Sequence, residues 1–189
     1  MLKSINAKCA ILRIIKPFIP AKNLAQVGSN LVNSTIMYAA PVWGSTTLSN
    51  IQKVQSSQMK AARIVHKNQR KGYLKDHRQT TLSNINWPNI SQIIMSASLN
   101  IIKRATVNKA SKDLNNLFNI RENNNPRVAK AQNITHKGPL NRKKTHFSAY
   151  GTELYNKLPN ILRDKEITCD QFKVKVKKYS HTVKLLKMH

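Results

Sequence analysis

Acidic residues are scarce in this chain: seven Asp and Glu stand against 33 Lys and Arg in 189 residues, a formal charge of +26. No acid occurs before Asp76. The charged fraction of 21% is slightly below the roughly 25% of an ordinary globular protein. The basicity therefore comes from missing acids as much as from added bases. Such a skew implies an anionic partner, with nucleic acid first and an anionic membrane surface second.

Other shortages narrow the function further. The two cysteines, Cys9 and Cys169, lie far apart with no CxxC or histidine cluster nearby, which excludes a zinc finger or a disulfide framework. A reducing intracellular compartment, nucleus or cytoplasm, is the default. Five glycines leave little room for a phosphate-cradling loop. Aromatics at 6% are too few for a base-stacking platform. The longest uncharged stretch, Asn23 to Gln52, is interrupted by Gln26, Asn30, Asn33, Ser34 and Asn50, so no membrane span and no membrane partner is expected. Lys3, Lys8, Arg13 and Lys16 also fit a mitochondrial presequence, but that segment runs directly into sequence with folding periodicity.

Catalytic constellations are missing too. Asp164, Glu166 and Asp170 are the only grouped acids, and dipole compensation at a helix start accounts for them. His66, His77, His136, His146, His181 and His189 show no ligand spacing. No active site and no metal site is expected in this chain, and no cofactor.

With 40% apolar residues the chain can build a core. The pattern predicts a mainly α protein: a helical bundle over 1–106, an Asn-rich linker over 107–133, and a basic segment over 134–189. Leu2, Ile5, Cys9 and Leu12 recur at helical spacing, ended by Pro17 and Pro20. A second helix is read from Lys22 to about Ala40, stopped by Pro41 and Gly44. A third runs from about Ser49 to Gln69, with Ile51, Val54, Gln58, Ala62 and Val65 on one side. On the opposite side stand Lys53, Lys60, Arg63, Lys67 and Arg70. A solvated helix face usually mixes signs, and this one has no acid, so phosphate is the better reading. Lys71 extends the stripe, and Arg142, Lys143 and Lys144 form a second candidate contact.

After Gly72 a polar connector leads to Trp87-Pro88 and to an apolar helix over Ile90–Ala105. Ile134–Thr135 and Thr145–Tyr150 are expected to form a short β-hairpin around Lys137-Gly138-Pro139. Thr168-x-x-Gln171 predicts a capping box for a last helix, with Phe172, Val176 and Tyr179 inside and lysines outside.

Three stretches carry a family resemblance. Tyr38-Ala39-Ala40-Pro41-Val42-Trp43-Gly44 resembles the Tyr-x-x-x-x-Trp-Gly element that follows the palm in reverse transcriptases of non-LTR (LINE-type, jockey-like) retrotransposons. Ile51-Gln52-Lys53-Val54-Gln55 through Ala61-Ala62-Arg63-Ile64-Val65 is similar to the family's Leu-x-x-Ile-Gln-Asn-x-Ala-x-Arg-Ile-Ile helix. Leu154-Tyr155-Asn156-Lys157-Leu158-Pro159 with Phe172-Lys173-Val174-Lys175-Val176-Lys177-Lys178-Tyr179 resembles its C-terminal signature, and Trp87-Pro88 falls where the family has a Trp-Leu-Pro element. Tyr155 stands where the family usually has Trp, and Ser56-Ser57 replaces its Asn.

The resemblance implies a thumb and post-thumb region that grips primer–template, whether RNA, DNA or an RNA–DNA hybrid, by its backbone. The catalytic Asp pair and its Mg²⁺ would belong to an upstream palm, which with the fingers would be a protein partner and is expected to be missing here. Some apolar surface should then lie exposed. Tyr38, Trp43, Trp87 and Tyr155 are expected in the core. Two other readings stand beside this one: a standalone basic nucleic-acid-binding scaffold, and a decayed element remnant.

Overall fold

Apolar residues at spacings of three and four give the first helix its inner face: α1 (Leu2–Ile15) buries Ile5, Cys9 and Leu12. The computed structural model describes residues 1–66, 76–121, 131–137 and 147–182. Over these residues the fold is mainly α with one two-stranded antiparallel sheet. Two compact units emerge, Met1–Ala40 with Thr46–Ile93, and Pro41–Ser45 with Ile94–His189.

In the first unit, α2 (Ala21–Gly28) runs through a π-turn at Ser29–Asn33 into α3 (Ser34–Met37). Tyr38 then turns extended, and Ala39 takes a left-handed φ of 50° before the single turn α4 (Ala40–Trp43), which belongs to the second unit from Pro41 on. The main helix, α5 (Leu48–Val65), packs against α1, α2 and α6 (Asp76–Asn84). Helix α6 lies where a polar connector was expected. Its Leu82 is buried, and one anchoring apolar residue in nine is too faint a period to read.

Trp87 locks this unit. Its ring lies so close to Gly28 that a Cβ there would stand 2.8 Å from Cζ2. Its indole Nε1 donates to the Ala25 carbonyl at 3.0 Å, where the helical ladder is about to widen into the π-turn. Gln58, fully buried on α5, donates from Nε2 to Asn33 Oδ1 (2.9 Å) and to the Pro88 carbonyl (2.8 Å). Asn33 in turn donates to Ser29 Oγ at 3.1 Å. The Gln58 Nε2 is thus satisfied by the irregular turn and by the Pro88 carbonyl, while its Oε1 is buried without a hydrogen-bond partner among the described residues.

Helix α7 (Ile90–Thr106) begins with a reciprocal cap: Asn89 N–H donates to Gln92 Oε1, and Gln92 N–H to Asn89 Oδ1, both at 2.8 Å. The division between units falls inside this helix, at Ile93–Ile94, and not after residue 106 as the composition change suggested. Apolar residues surround most of its circumference, so its first turn belongs to one core and the rest to the other. Asn86 and Asn108, both at φ 55°, end α6 and α7 in left-handed caps. The Trp87 and Lys109 N–H groups reach back five residues to Leu82 and Arg104. Asparagine here stops helices as well as marking loops.

The expected linker over 107–133 likewise holds structure. It contains α8 (Lys112–Asn115), capped by the Ser111 hydroxyl, and β1 (Phe118–Arg121). The run Asn123–Pro126 lies outside the described residues. Strand β2 (Asn133–His136) pairs with β1 in the register Phe118↔His136, Ile120↔Ile134. This corrects the expected hairpin around Gly138: the residues that were to form its second strand begin α9 (Phe147–Asn156). A strand partner about fifteen residues upstream leaves no turn signature to read. Asn156 completes the sheet edge, its Oδ1 accepting from Ile134 N–H (3.0 Å) and its Nδ2 donating to the Ile134 carbonyl (2.8 Å). One side-chain amide there does the work of a third strand.

The second core gathers Leu99, Ile102, Phe118, Ile134, Leu154, Tyr155, Phe172 and Val176. Helix α10 (Cys169–Thr182) opens on the predicted capping box, with Thr168 N–H to Gln171 Oε1 and Gln171 N–H to Thr168 Oγ1, both 3.3 Å. Its inner face is Phe172 and Val176, fully buried, with Tyr179 half-buried; Val183 and Leu186 lie outside the described residues.

Lys103 departs from expectation. Its sign suits the C-terminal dipole of α7, yet it is fully buried, its ammonium donating to the Asp164 carbonyl (2.8 Å) and standing 5.8 Å from the Phe172 ring centre. Burial holds it below the usual lysine range, while Cys169 and Asp164 pull the other way. The unfolded chain therefore binds more protons than the native one as pH approaches the unfolded lysine value of about 10.4, so stability rises with pH there. Tyr150 and Tyr155, both pushed up to about 12 by burial, act oppositely, and stability falls as pH passes their ordinary value of about 10. Lys103→Met should abolish the rise of the urea midpoint as pH climbs toward about 10. An unchanged or steeper rise contradicts this reading of Lys103.

Candidate nucleic-acid interface

The helical period of α5 sorts its residues into a wide buried arc and one narrow exposed edge. Val54, Ser57, Gln58, Met59, Ala61, Ala62 and Val65 are buried, because helices pack on several sides. What remains exposed between them is Lys53, Ser56, Lys60 and Arg63, at spacings of three and four. These four positions make a ridge one residue wide with no acid in it. Asp76 is the only acid in the whole first unit.

Three members of the expected stripe fall within α5. Helix α5 ends at Val65, where His66 turns extended (φ −77°, ψ 129°), whereas the expected helix ran to about Gln69, beyond the described residues. Lys67, Arg70 and Lys71 lie outside the described residues, as do Arg142, Lys143 and Lys144. Of the nine cations read from sequence, the structure places Lys53, Lys60 and Arg63, and it brings them onto one edge.

A residue from another helix joins them, one that sequence spacing did not single out. Cys9, buried on α1, has its thiol pushed up by burial and pulled down by the charges of Arg13 on α1 and Lys60 on α5. One guanidinium on α1 and one ammonium on α5 therefore act on one sulfur. Only packing brings them together, so no linear pattern could have shown it.

The second unit carries its own basic face. On α10, Lys173, Lys175, Lys177 and Lys178 are exposed around the buried Phe172 and Val176. Acids interrupt this unit more often, with Asp170 in the first turn of α10 and Glu153 paired to Lys157 at 2.5 Å on α9. A Glu153–Lys157 pair one turn apart is the ordinary arrangement of a solvated helix face, and α5 has none.

Of the aromatics expected in the core, Trp87 and Tyr155 are buried and Trp43 is half-buried, but Tyr38 is 82% exposed. The left-handed Ala39 beside it turns the chain, so Tyr38 falls outside the helical face that buries Ile36. Large apolar residues also stand open on the first unit: Ile11, Ile14 and Phe18 at the end of α1, with Met37 and Leu48. Among the described residues there is no group of three His, Cys, Asp or Glu able to hold a metal ion, and no helix long and apolar enough to cross a membrane. Both thiols are free.

No protein-family model matches the chain, and no curated protein or solved structure is detectably similar to it.

Proposed function

We propose that this chain binds nucleic acid through its backbone, independently of sequence, as the thumb and post-thumb piece of an RNA-directed DNA polymerase of the non-LTR retrotransposon type. The observation that carries the binding half of this reading is the acid-free ridge Lys53–Ser56–Lys60–Arg63 on α5. Unpaired cations on a rigid helix neutralise phosphates and release condensed counterions, and they read no base edges. The polymerase half rests on the ordered motifs around Trp43, Arg63, Trp87 and Leu158-Pro159. In this reading the chain contributes grip, and catalytic carboxylates with their Mg²⁺ belong to a palm and fingers with which it works. The open apolar side chains at Ile14, Phe18 and Tyr38 agree with a surface that works against another protein body.

A competition experiment tests the reading. Labelled RNA–DNA hybrid bound to the chain is challenged with unlabelled hybrid or with a folded, highly structured RNA of equal length. The expected result is that hybrid displaces the label at several-fold lower concentration. Equal displacement by folded RNA would favour the standalone scaffold instead.

A further inference from the structure

Helix α1 carries two apolar seams, and only one of them is packed. Ile5, Cys9 and Leu12 form the buried seam. Ala7, Ile11 and Ile14 form the second, at spacings of four and three, and Phe18 continues it at four in the turn Lys16–Phe18 that follows. At about 100° per residue the two seams lie roughly 160° apart, on opposite sides of the helix. All four residues of the second seam are exposed, Ile14 to 69% and Phe18 to 82%.

Single apolar residues scattered on a surface are ordinary, but these stand in one row, each the neighbour of the next. The row runs about 16 Å at roughly 1.5 Å per residue. Spacing of four, three and four is the repeat by which the knobs of one helix enter the holes of another. The shape that covers such a row is therefore a helix. Its charge follows from the rim. Lys3 and Lys8 flank the row on its two sides, and no acid occurs before Asp76. Lys8 donates to the Thr35 hydroxyl, a neutral acceptor that leaves its charge unbalanced. A second copy of α1 would bring like charges together on chains that each carry +26. An acidic helix would meet the same rim with opposite charge.

We propose that the row Ala7, Ile11, Ile14 and Phe18 is a docking surface for an acidic amphipathic helix of another protein. The partner lays its apolar stripe along the row, and carboxylates beside that stripe meet Lys3 and Lys8. This surface goes beyond the nucleic-acid function proposed above and uses none of the α5 cations, so each can fail without the other.

The test uses the full chain and fluorescein-labelled peptides of three heptads, read by anisotropy. One peptide carries leucine at alternating spacings of three and four, with glutamate beside the stripe. A second has lysine for every glutamate, and a third has the composition of the first in an order without the stripe. The first should bind, and the other two at least about tenfold more weakly. Ile14→Ser and Phe18→Ser should each weaken the first about tenfold, as expected when a large apolar side chain no longer gains burial. Both positions are exposed, so these variants should keep the circular dichroism spectrum of the parent chain. Lys3→Gln should weaken it a few-fold. Ile161→Ser, at an apolar residue 74% exposed in the other unit, and Lys60→Gln on the α5 ridge should leave it unchanged. Equal binding of the ordered and reordered acidic peptides would overturn the docking surface, leaving net charge alone. A dimer in sedimentation equilibrium that Phe18→Ser dissolves would overturn it in favour of a second copy. Binding to phosphatidylserine vesicles that needs Phe18, without binding of the peptide, would overturn it in favour of a membrane surface.

Discussion

Reversing the charge of the α5 ridge, with Lys53→Glu, Lys60→Glu and Arg63→Glu together, should weaken duplex binding by about 10³-fold near 0.1 M salt, roughly tenfold for each phosphate contact removed. The same number of reversals on α10, at Lys173, Lys175 and Lys178, should cost less than a tenth of that. The difference follows from the surroundings of each helix. The α5 cations stand on one edge of a unit whose only acid is Asp76, so they face an external anion without competition. The α10 lysines belong to a unit that also contains Asp113, Glu122, Glu153, Asp164, Glu166 and Asp170, so the net positive field of that unit is weaker for its number of bases. All three α5 positions are exposed, so the variant should retain its circular dichroism spectrum and thermal midpoint. Equal losses from the two helices would show that net charge alone governs binding.

Trp87→Ala should destabilise the first unit by about 3–5 kcal/mol, the usual range for deleting a large buried aromatic. That is a large part of the about 5–15 kcal/mol that holds a domain of ordinary stability. Three losses combine at this position. The ring leaves a void against Gly28, the Ala25 carbonyl loses its indole donor, and the Pro88 carbonyl that binds Gln58 loses its neighbouring anchor. Gly28→Ala should act through the same contact from the other side, because its Cβ cannot stand 2.8 Å from Cζ2 unless the ring moves. Trp87→Phe should recover much of the loss by refilling the space without the Nε1 bond. Urea unfolding followed by far-ultraviolet circular dichroism reads all three. A cost under about 1 kcal/mol for Trp87→Ala would mean that the indole is not what joins α2, α5 and the Pro88 segment.

How much of this was legible from sequence depends on the range over which each signal acts. The capping box at Thr168 and Gln171 is a contact across three residues, and its residue types announce it. The α5 ridge is almost as local, because a 3.6-residue period carries Lys53, Lys60 and Arg63 to one edge wherever the helix packs. Its end is less local: nothing in Arg63-Ile64-Val65-His66 breaks a helix, yet the chain turns extended at His66.

Signals that depend on tertiary pairing were not legible. The partner of β2 lies upstream in β1, across a span that read as linker, and the sequence around Gly138 offered a plausible but wrong hairpin. Lys103 and Arg104 look alike at the end of α7, and only the position of Phe172 and the Asp164 carbonyl decides that Lys103 is buried. Tyr38 lies in an apolar stretch and is nonetheless exposed, because the left-handed Ala39 turns the chain beside it. Arg13 is the instructive case for the site. Its position in α1 carries no spacing relation to Lys60, and only the packing of α1 on α5 brings the two helices together.

The most direct measurement is the salt dependence of binding by the unmodified chain, made on two RNA–DNA hybrids of equal length and unrelated sequence. The account predicts straight lines of log K against log salt with the same steep negative slope, about −0.9 for each of several phosphate contacts, and affinities within a few-fold of each other. A shallow slope, or a large difference between the two sequences, would contradict a grip made through the backbone by the α5 ridge.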